Sequence, residues 1–162
     1  MKHEDYCTLF SNPDDRDILT RKLFDVNMRL FEDNPLYCKV VRDCAEYIRL
    51  CATTEKDGYK KPHGYSGANA GIPFNIIALA DGTVMLNPKI IWAEGERVIE
   101  TNCGSLMLDK PITVKRHNRI AFIYYDLNGR RHDEEGYWPT VQHEVDHNLG
   151  ILITDPTRRV HL

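Results

Sequence analysis

The sequence contains no CxxC pair, no long apolar run and no strong excess of either charge. It has an odd number of cysteines, which argues against a disulfide framework and favours reduced thiols: Cys7, Cys38, Cys44, Cys51 and Cys103. No apolar run approaches the roughly 18 residues that a membrane-spanning helix needs. The formal net charge of −3 gives no electrostatic reason to expect a nucleic-acid or anionic-membrane partner.

The first residues, MKHED, also lack the apolar segment of a secretion signal. We therefore expect a cytoplasmic protein without membrane association and without direct nucleic-acid binding. The basic pairs Arg130-Arg131 and Arg158-Arg159 are expected to be solvated surface. A length of 162 residues, with 42% hydrophobic and 28% charged residues, is typical of one globular domain. We expect that single domain to span residues 1–162.

The clearest predicted helix covers residues 35–52. Asn34 suits its N-cap and Pro35 its first turn. Apolar residues recur there at steps of three or four and form one stripe, which is expected to be the buried face: Leu36, Val40, Cys44, Ile48 and Cys51. Residues 15–31 are also rich in apolar positions, but their spacing does not distinguish a helix from mixed structure.

The middle of the chain has the pattern of antiparallel strands. Residues 75–80 and 84–86 flank Asp81-Gly82, a hairpin turn signal, and Asn87-Pro88 is expected to end the second strand. Residues 112–114 and 120–125 are further predicted strands, and Asn128-Gly129 marks a tight turn. A last helix of about a dozen residues begins near Pro139 and ends at Leu149-Gly150. This order predicts an α+β fold.

The last helix carries the most specific pattern, QHEVDH at residues 142–147. Residues four apart lie on one face of a helix, so His143 and His147 can point at the same ion. Glu144 lies one step round the helix, where a base for an attacking water is needed. The alternative is a pair of surface histidines on an amphipathic helix.

A catalytic metal site typically has about three protein ligands and one open position. Metalloproteases with this motif take the third ligand from a later glutamate or from a third histidine. No glutamate follows Glu144, and the third-histidine position holds Ile153. Asp155 and His161 are the remaining downstream candidates. Cys103 is the best upstream candidate, because it lies in a small polar segment rather than in an apolar run.

Three separated motifs in this sequence resemble those of the peptide deformylase family, in the family's order. GYSGAN at residues 64–69 stands at the family's G-[LIV]-[AS]-A-x-Q. TNCGS at residues 101–105 stands at E-G-C-L-S, and QHEVDH matches Q-H-E-x-D-H. Asn87-Pro88 and Arg116 also match positions of a supporting pattern in the family. The resemblance covers about residues 64–153, and it implies antiparallel sheets packed around a central helix that bears HExxH, with a helix before them.

The resemblance also implies a role for each motif residue. Cys103, His143 and His147 are expected to bind one divalent ion, Fe(II) natively, with Zn(II), Ni(II) or Co(II) as replacements. Glu144 is expected to take a proton from the attacking water and to pass one to the departing amine. The ion, the backbone N–H of Gly104 and the side-chain amide of Asn69 are expected to hold the oxyanion.

Several positions depart from the family pattern. Asn69 replaces a glutamine and is one methylene shorter, and Gly104 replaces a leucine. Thr101 stands where the family has a glutamate, which is expected to pair with the arginine at the position of Arg116. Either Glu100 takes the place of that glutamate or the pair is lost. The chain ends soon after the metal helix, where bacterial members carry a further helix. It therefore resembles the short viral members.

The expected substrates are N-formylmethionyl peptides, met at the ribosome exit by a monomeric enzyme in the cytoplasm, which is the host cytoplasm if the protein is viral. By position, five residues are expected to line the methionine pocket: His63, Gly64, Tyr65, Pro139 and Thr140. Two other functions stay open. The changed first motif also suits a metallohydrolase for another N-acyl group or a peptide bond. A binding module with a structural metal is disfavoured, because a structural site needs no Glu144.

Overall fold

A computed structural model of the chain describes residues 19–55, 62–106, 108 and 110–158. Cys7 and His161 lie outside the described residues. The helices are α1 (Met28–Asp33), α2 (Pro35–Thr53), α3 (Gly67–Ala70) and α4 (Pro139–Asn148). The strands are β1 (Gly64–Ser66), β2 (Ile76–Leu79), β3 (Val84–Glu94), β4 (Arg97–Thr101), β5 (Ile112–Arg116), β6 (Arg119–Tyr125) and β7 (Arg131–Gly136). A short 3₁₀ helix covers Gly104–Leu106.

The strands form two antiparallel sheets. The larger sheet has five strands in the order β1-β2-β3-β6-β7, and β4 pairs with β5 in a second sheet. The hairpin between β2 and β3 turns at Asp81-Gly82, as predicted: Gly82 has φ +91°, and the Asp81 carboxylate accepts from the Thr83 N–H at 2.8 Å. The α+β prediction is confirmed. No helix of the described part is long and apolar enough to cross a membrane.

Strand β2 lies between two helices because its alternate residues are apolar on both faces. Ile76 and Ala78 belong to the cluster that contains the buried residues of α2. Ile77 and Leu79 belong to the cluster that contains Val141 and Val145 of α4. Helix α4 is thus fixed against the five-stranded sheet through this apolar face, and its other residues are available to the site.

Helix α2 begins as predicted, with the Asn34 side chain accepting from the N–H groups of Leu36 and Tyr37. The prediction of its buried face was wrong in part. Ile48 and Cys51 are buried, but Leu36 is 73% exposed and Val40 is 45% exposed. The buried row instead includes alanines, whose small side chains let the helix backbone approach the sheet: Val41, Ala45, Ile48 and Ala52.

Strand β3 does not end at Asn87-Pro88 but continues to Glu94, with a shift of register between Leu86 and Lys89. Asn87 has φ +53°, a backbone region in which asparagine is enriched among non-glycine residues. Its side chain accepts from the Val26 N–H at 2.7 Å and donates to the Val26 carbonyl at 2.8 Å. The pair therefore marks an irregularity inside the strand rather than its end.

Candidate metal centre

Helix α4 places two histidines one turn apart. Pro139 opens the helix, and His143 and His147 follow it with ring centroids 4.6 Å apart at an interplanar angle of 89°. The two Nε2 atoms approach to 3.1 Å. Both imidazoles therefore direct the same nitrogen to one point, as the spacing predicted.

Cys103 reaches that point from the segment that follows β4. Its Sγ lies 3.3 Å from Nε2 of His147. The ligand atoms of Cys103, His143 and His147 all lie within 4.8 Å of one another, and the cysteine is buried. The predicted upstream residue is therefore the one that completes the cluster. Asp155, the downstream alternative, hydrogen-bonds Thr157 and Arg158 within its own turn.

The chemistry of these donors fits a divalent ion. Burial holds the pKa of His143 well below its usual value and lowers that of His147 to about 4, so both imidazoles keep a free lone pair. Burial and the nearby Glu144 raise the pKa of the Cys103 thiol to about 11. A buried thiol with this pKa becomes a thiolate only beside a compensating positive charge. Two neutral imidazoles and one thiolate form a three-ligand set that leaves a fourth position open.

Glu144 lies beside the cluster with an unsatisfied carboxylate. It is 4% exposed, and its Oε2 finds no hydrogen-bond partner among the described residues. Burial raises its pKa to about 8, against the lowering effects of a hydrogen bond with Ser66 and of the charge of Arg116. A buried carboxyl with one free oxygen is suited to accept and return a proton.

Gly64 of β1 passes directly over α4. A Cβ built on Gly64 would lie 2.7 Å from Cγ2 of Thr140 and 3.0 Å from Cγ of Glu144. Of the five residues expected to line a methionine pocket, Gly64 and Thr140 are thus brought together. The other three residues have different surroundings. His63 is exposed and lies directly before β1, and Pro139 is the first residue of α4. The Tyr65 hydroxyl donates to the carbonyl of Asn69 at 3.3 Å.

Asn69 is part of a local hydrogen-bond network. Ser66 caps the short helix α3, and Oδ1 of Asn69 accepts from the Ser66 N–H at 3.1 Å and from the Ser66 hydroxyl. Nδ2 of Asn69 donates to the hydroxyl of Ser105. Sequence reasoning assigned no role to Ser66 or Ser105, and the contact between Asn69 and Ser105 spans 36 positions of the chain, which residue spacing does not predict.

Gly104, the other predicted oxyanion donor, is exposed at the start of the 3₁₀ helix. A Cβ built on it meets nothing within 4 Å. Sterically, the structure would admit the leucine that the family has here, and nothing in the structure explains the glycine.

Asp146, between the two histidines in sequence, is held by two arginines. Arg116 donates to its Oδ2 at 2.6 Å, and both side chains are buried. Arg158 donates to Oδ2 at 2.9 Å and to Oδ1 at 2.8 Å. The expectation that Arg158 is solvated surface was therefore wrong. Glu100, the suggested partner of Arg116, is exposed and lies opposite Thr113 in the β4–β5 pair.

Gln142, the first residue of the helix motif, anchors α4 rather than facing the metal cluster. Its Oε1 accepts from the His117 N–H at 2.8 Å, and its Nε2 donates to the His117 carbonyl at 3.1 Å. Because Gln142 is buried, these bonds fix the helix against the turn between β5 and β6.

The chain is similar in sequence to known proteins. The sequence profile of the polypeptide deformylase family matches residues 46–161. Peptide deformylase 1 of Clostridium perfringens is 32% identical over 142 residues, covering 80% of this chain and 95% of that protein. The peptide deformylase of Dictyoglomus thermophilum is 41% identical over 123 residues, covering 72% of this chain and 74% of that protein.

Solved structures share the fold. The peptide deformylase of Thermotoga maritima superimposes with a TM-score of 0.71 at 22% identity, over 90% of this chain and 92% of that one. A class I type b peptide deformylase of Acinetobacter baumannii, solved with Met-Ala-Ser bound, gives a TM-score of 0.66 at 25% identity, over 84% of this chain and 89% of that one. With the cysteine and both histidines at one point, and a profile match over most of its length, the chain belongs to the polypeptide deformylase family.

Proposed function

We infer that this protein removes the formyl group from the N-terminal formylmethionine of newly made polypeptides. The main support is that the ligand atoms of Cys103, His143 and His147 lie within 4.8 Å of one another, with Glu144 buried beside them. Membership of the family supports the hydrolysis of a formyl amide. The relative from A. baumannii, solved with Met-Ala-Ser, is consistent with a peptide that begins with methionine.

The site would hold a single divalent ion on Cys103, His143 and His147. Fe(II) is the proposed native ion, with Zn(II), Ni(II) and Co(II) as replacements, since a thiolate and two imidazoles accept each of them. When bound, such an ion supplies Lewis-acid chemistry, polarising a carbonyl and lowering the pKa of water. The backbone N–H of Gly104 and the second N–H of the Asn69 amide are proposed to stabilise the oxyanion.

Glu144 would handle the protons. Its free Oε2 would take a proton from the attacking water and deliver one to the departing amine nitrogen. The buried surroundings of the carboxyl keep bulk water from competing for that proton.

The methionine side chain would bind beside the contact between β1 and the start of α4, since the contact itself leaves no space for a side chain at Gly64. The proposed contacts are those predicted from sequence, and the 2.7 Å approach of a Gly64 Cβ to Thr140 supports a common surface for them: His63, Gly64, Tyr65, Pro139 and Thr140. We further propose one domain over residues 1–162 that acts as a monomer in the cytoplasm, on chains leaving the ribosome. The formylated start of a new chain supports that location.

The test is an anaerobic preparation assayed for bound metal and for formate release from a formyl-Met peptide. Glu144→Gln should keep the metal and lose formate release about 100- to 10,000-fold, because it removes only the proton transfer. Cys103→Ala should lose the metal. Cys51→Ala is the matched control, since Cys51 is a buried cysteine in the α2 core, and it should keep both.

Metal binding without formate release by the wild-type protein would contradict the proposed reaction. Full activity of Glu144→Gln would contradict the role of that residue.

An N-acetyl-Met peptide belongs in the same assay, because Gly67 and Asn69 depart from the family's first motif. The fold of this chain requires the glycine, since a Cβ on Gly67 would lie 2.3 Å from the carbonyl oxygen of Phe74. Faster release of acetate than of formate would favour a different N-acyl substrate.

A further inference from the structure

The side chain of Arg158 joins the segment that follows α4 to the metal helix itself. Nε of Arg158 donates to Oδ2 of Asp146 at 2.9 Å, and Nη2 donates to Oδ1 at 2.8 Å. Asp146 lies on α4 directly before His147, and its side chain is 7% exposed. Two parallel bonds between a guanidinium and a buried carboxylate fix the orientation of both groups.

The backbone that presents Arg158 is held by other contacts. The Lys115 N–H donates to the Arg158 carbonyl at 2.8 Å, and the Arg158 N–H donates to the Asp155 carbonyl at 2.9 Å. Ile153, earlier in the same segment, is buried in the apolar cluster that contains Cys103. None of these contacts uses the Arg158 side chain, so a substitution at this position tests the side chain alone.

The same carboxylate also holds a buried arginine that lies beside a proposed ligand. Nη1 of Arg116 donates to Oδ2 of Asp146 at 2.6 Å, and Nη2 of Arg116 lies 3.4 Å from Nδ1 of His143. In the proposed site His143 binds through Nε2, so its Nδ1 carries the ring proton. A guanidinium has only donors, so Arg116 then has no acceptor at His143 and depends on Asp146.

Arg158 sets the direction of that shared carboxylate. Oδ2 accepts one bond from each arginine, whereas Oδ1 accepts its bond from Arg158. Without Arg158 the carboxylate can rotate, and Oδ2 is no longer fixed in front of Arg116. The buried guanidinium can then turn towards His143, and a positive charge that approaches a bound cation opposes its retention.

We propose that Arg158 is a positioning residue that fixes the Asp146 carboxylate on Arg116, keeps the Arg116 charge directed away from His143, and so slows the loss of the metal ion. This rests on the proposed function, in which His143 is a metal ligand. It goes beyond that function because it assigns an action on the site to a residue outside the metal cluster and the three motifs.

The charge of Arg158 by itself predicts the opposite effect. A positive charge near a bound cation repels it, so removal of this charge alone should slow the release of the ion. Loss of the two parallel bonds should speed that release. Arg158→Lys keeps the charge and loses the paired geometry, whereas Arg158→Met loses both. Faster release in both variants would therefore come from the lost geometry.

The experiment uses cobalt(II)-substituted protein and measures the rate of cobalt release to a chelator, without substrate. Arg158→Met and Arg158→Lys should each release cobalt about 10-fold faster than the wild type, the lower end of what loss of a ligand's neighbour costs in other metal sites. Arg158→Ala should release cobalt as fast, and millimolar ethylguanidinium should slow it again by replacing the missing group. Arg158→Lys remains a test if Arg158→Met does not fold.

Two controls keep the test specific. Arg119→Met makes the same change at an exposed ion pair with Glu135 and should leave the release rate unchanged. Ile48→Val destabilises the core beside α2, which belongs to a different cluster from α4 and Cys103. Its release rate should equal that of the wild type and should not respond to ethylguanidinium.

Three outcomes would overturn the inference: unchanged or slower cobalt release in Arg158→Met and Arg158→Lys, an equal acceleration in Ile48→Val, or no response of Arg158→Ala to ethylguanidinium. Failure of the proposed function looks different. A wild-type protein that binds no cobalt, or that binds it equally well as Cys103→Ala, would remove the proposed metal site, and both proposals would fall.

Discussion

Gly64 has no space for a side chain, because β1 passes directly over the helix that carries the base. In Gly64→Ala the new methyl group would lie 2.7 Å from Thr140 Cγ2 and 3.1 Å from Glu144 Oε1. We expect a loss of about 1–3 kcal/mol in the free energy of unfolding, as in other overpacked sites. We also expect slower formate release, because Glu144 must move. Urea denaturation and the formate assay measure the two effects.

Gly104→Ala is the matched control for that prediction. Its Cβ would meet nothing within 4 Å, so we expect the free energy of unfolding to change by less than about 0.5 kcal/mol. The backbone N–H stays available in alanine. Equal destabilisation of the two variants would show that the close approach at Gly64 is not what limits the site.

Among individual residues, the sequence predicted those of the metal cluster better than the hydrogen-bond partners of the surrounding side chains. The spacing of His143 and His147 required only that the segment be helical, and Cys103 followed from the missing downstream ligand. The partners of Asn69 could not be predicted in this way. Its contact with Ser105 joins residues 36 positions apart, and Arg158 meets Asp146 only through tertiary packing.

Helix α4 depends on one buried amide for its position. Gln142 satisfies both the N–H and the carbonyl of His117, at 2.8 and 3.1 Å. Gln142→Met should cost about 1–3 kcal/mol in the free energy of unfolding, because these backbone groups are left without partners. Urea denaturation measures that cost.

Gln142→Met is chosen because methionine keeps the length of the side chain, so the lost hydrogen bonds are separated from lost packing. Gln142→Ala, measured beside it, removes both. If the methionine variant is as stable as the wild type, packing rather than hydrogen bonding positions the helix.

The elements themselves were predictable where a cap, a turn or an apolar pattern marks them. Asn34-Pro35 and Asp81-Gly82 gave the start of α2 and the β2–β3 turn. Strands β4 and β7 were not predicted, because RVIET is partly exposed and RHDEEG is almost wholly polar. Their pairing depends on β5 and β6 beside them, which sequence periodicity does not report.

Across the whole molecule, the metal cluster joins segments that local structure does not connect. Cys103 follows β4, whereas both histidines lie on α4, 40 and 44 residues later in the chain. An ion bound to all three stabilises the native state, since the unfolded chain does not assemble this set. Metal present at about 100 times its dissociation constant should add about 2.7 kcal/mol to the free energy of unfolding.

Removal of the metal by a chelator should therefore lower the urea midpoint, and added cobalt or zinc should restore it in a concentration-dependent way. Cys103→Ala should show a much smaller response. A midpoint that does not change with metal concentration would contradict binding at this cluster.

The position of strand β7 affects how the molecule can associate with other protein chains. It lies at one edge of the five-stranded sheet, and the opposite edge, β1, is only three residues long. An edge strand offers free backbone groups to which a strand from another chain can add, a common start of aggregation. Here the sequence RHDEEG lines that edge with charges, which oppose such an addition. We therefore expect the charged edge to hinder the addition of a strand from another chain to the sheet that supports α4.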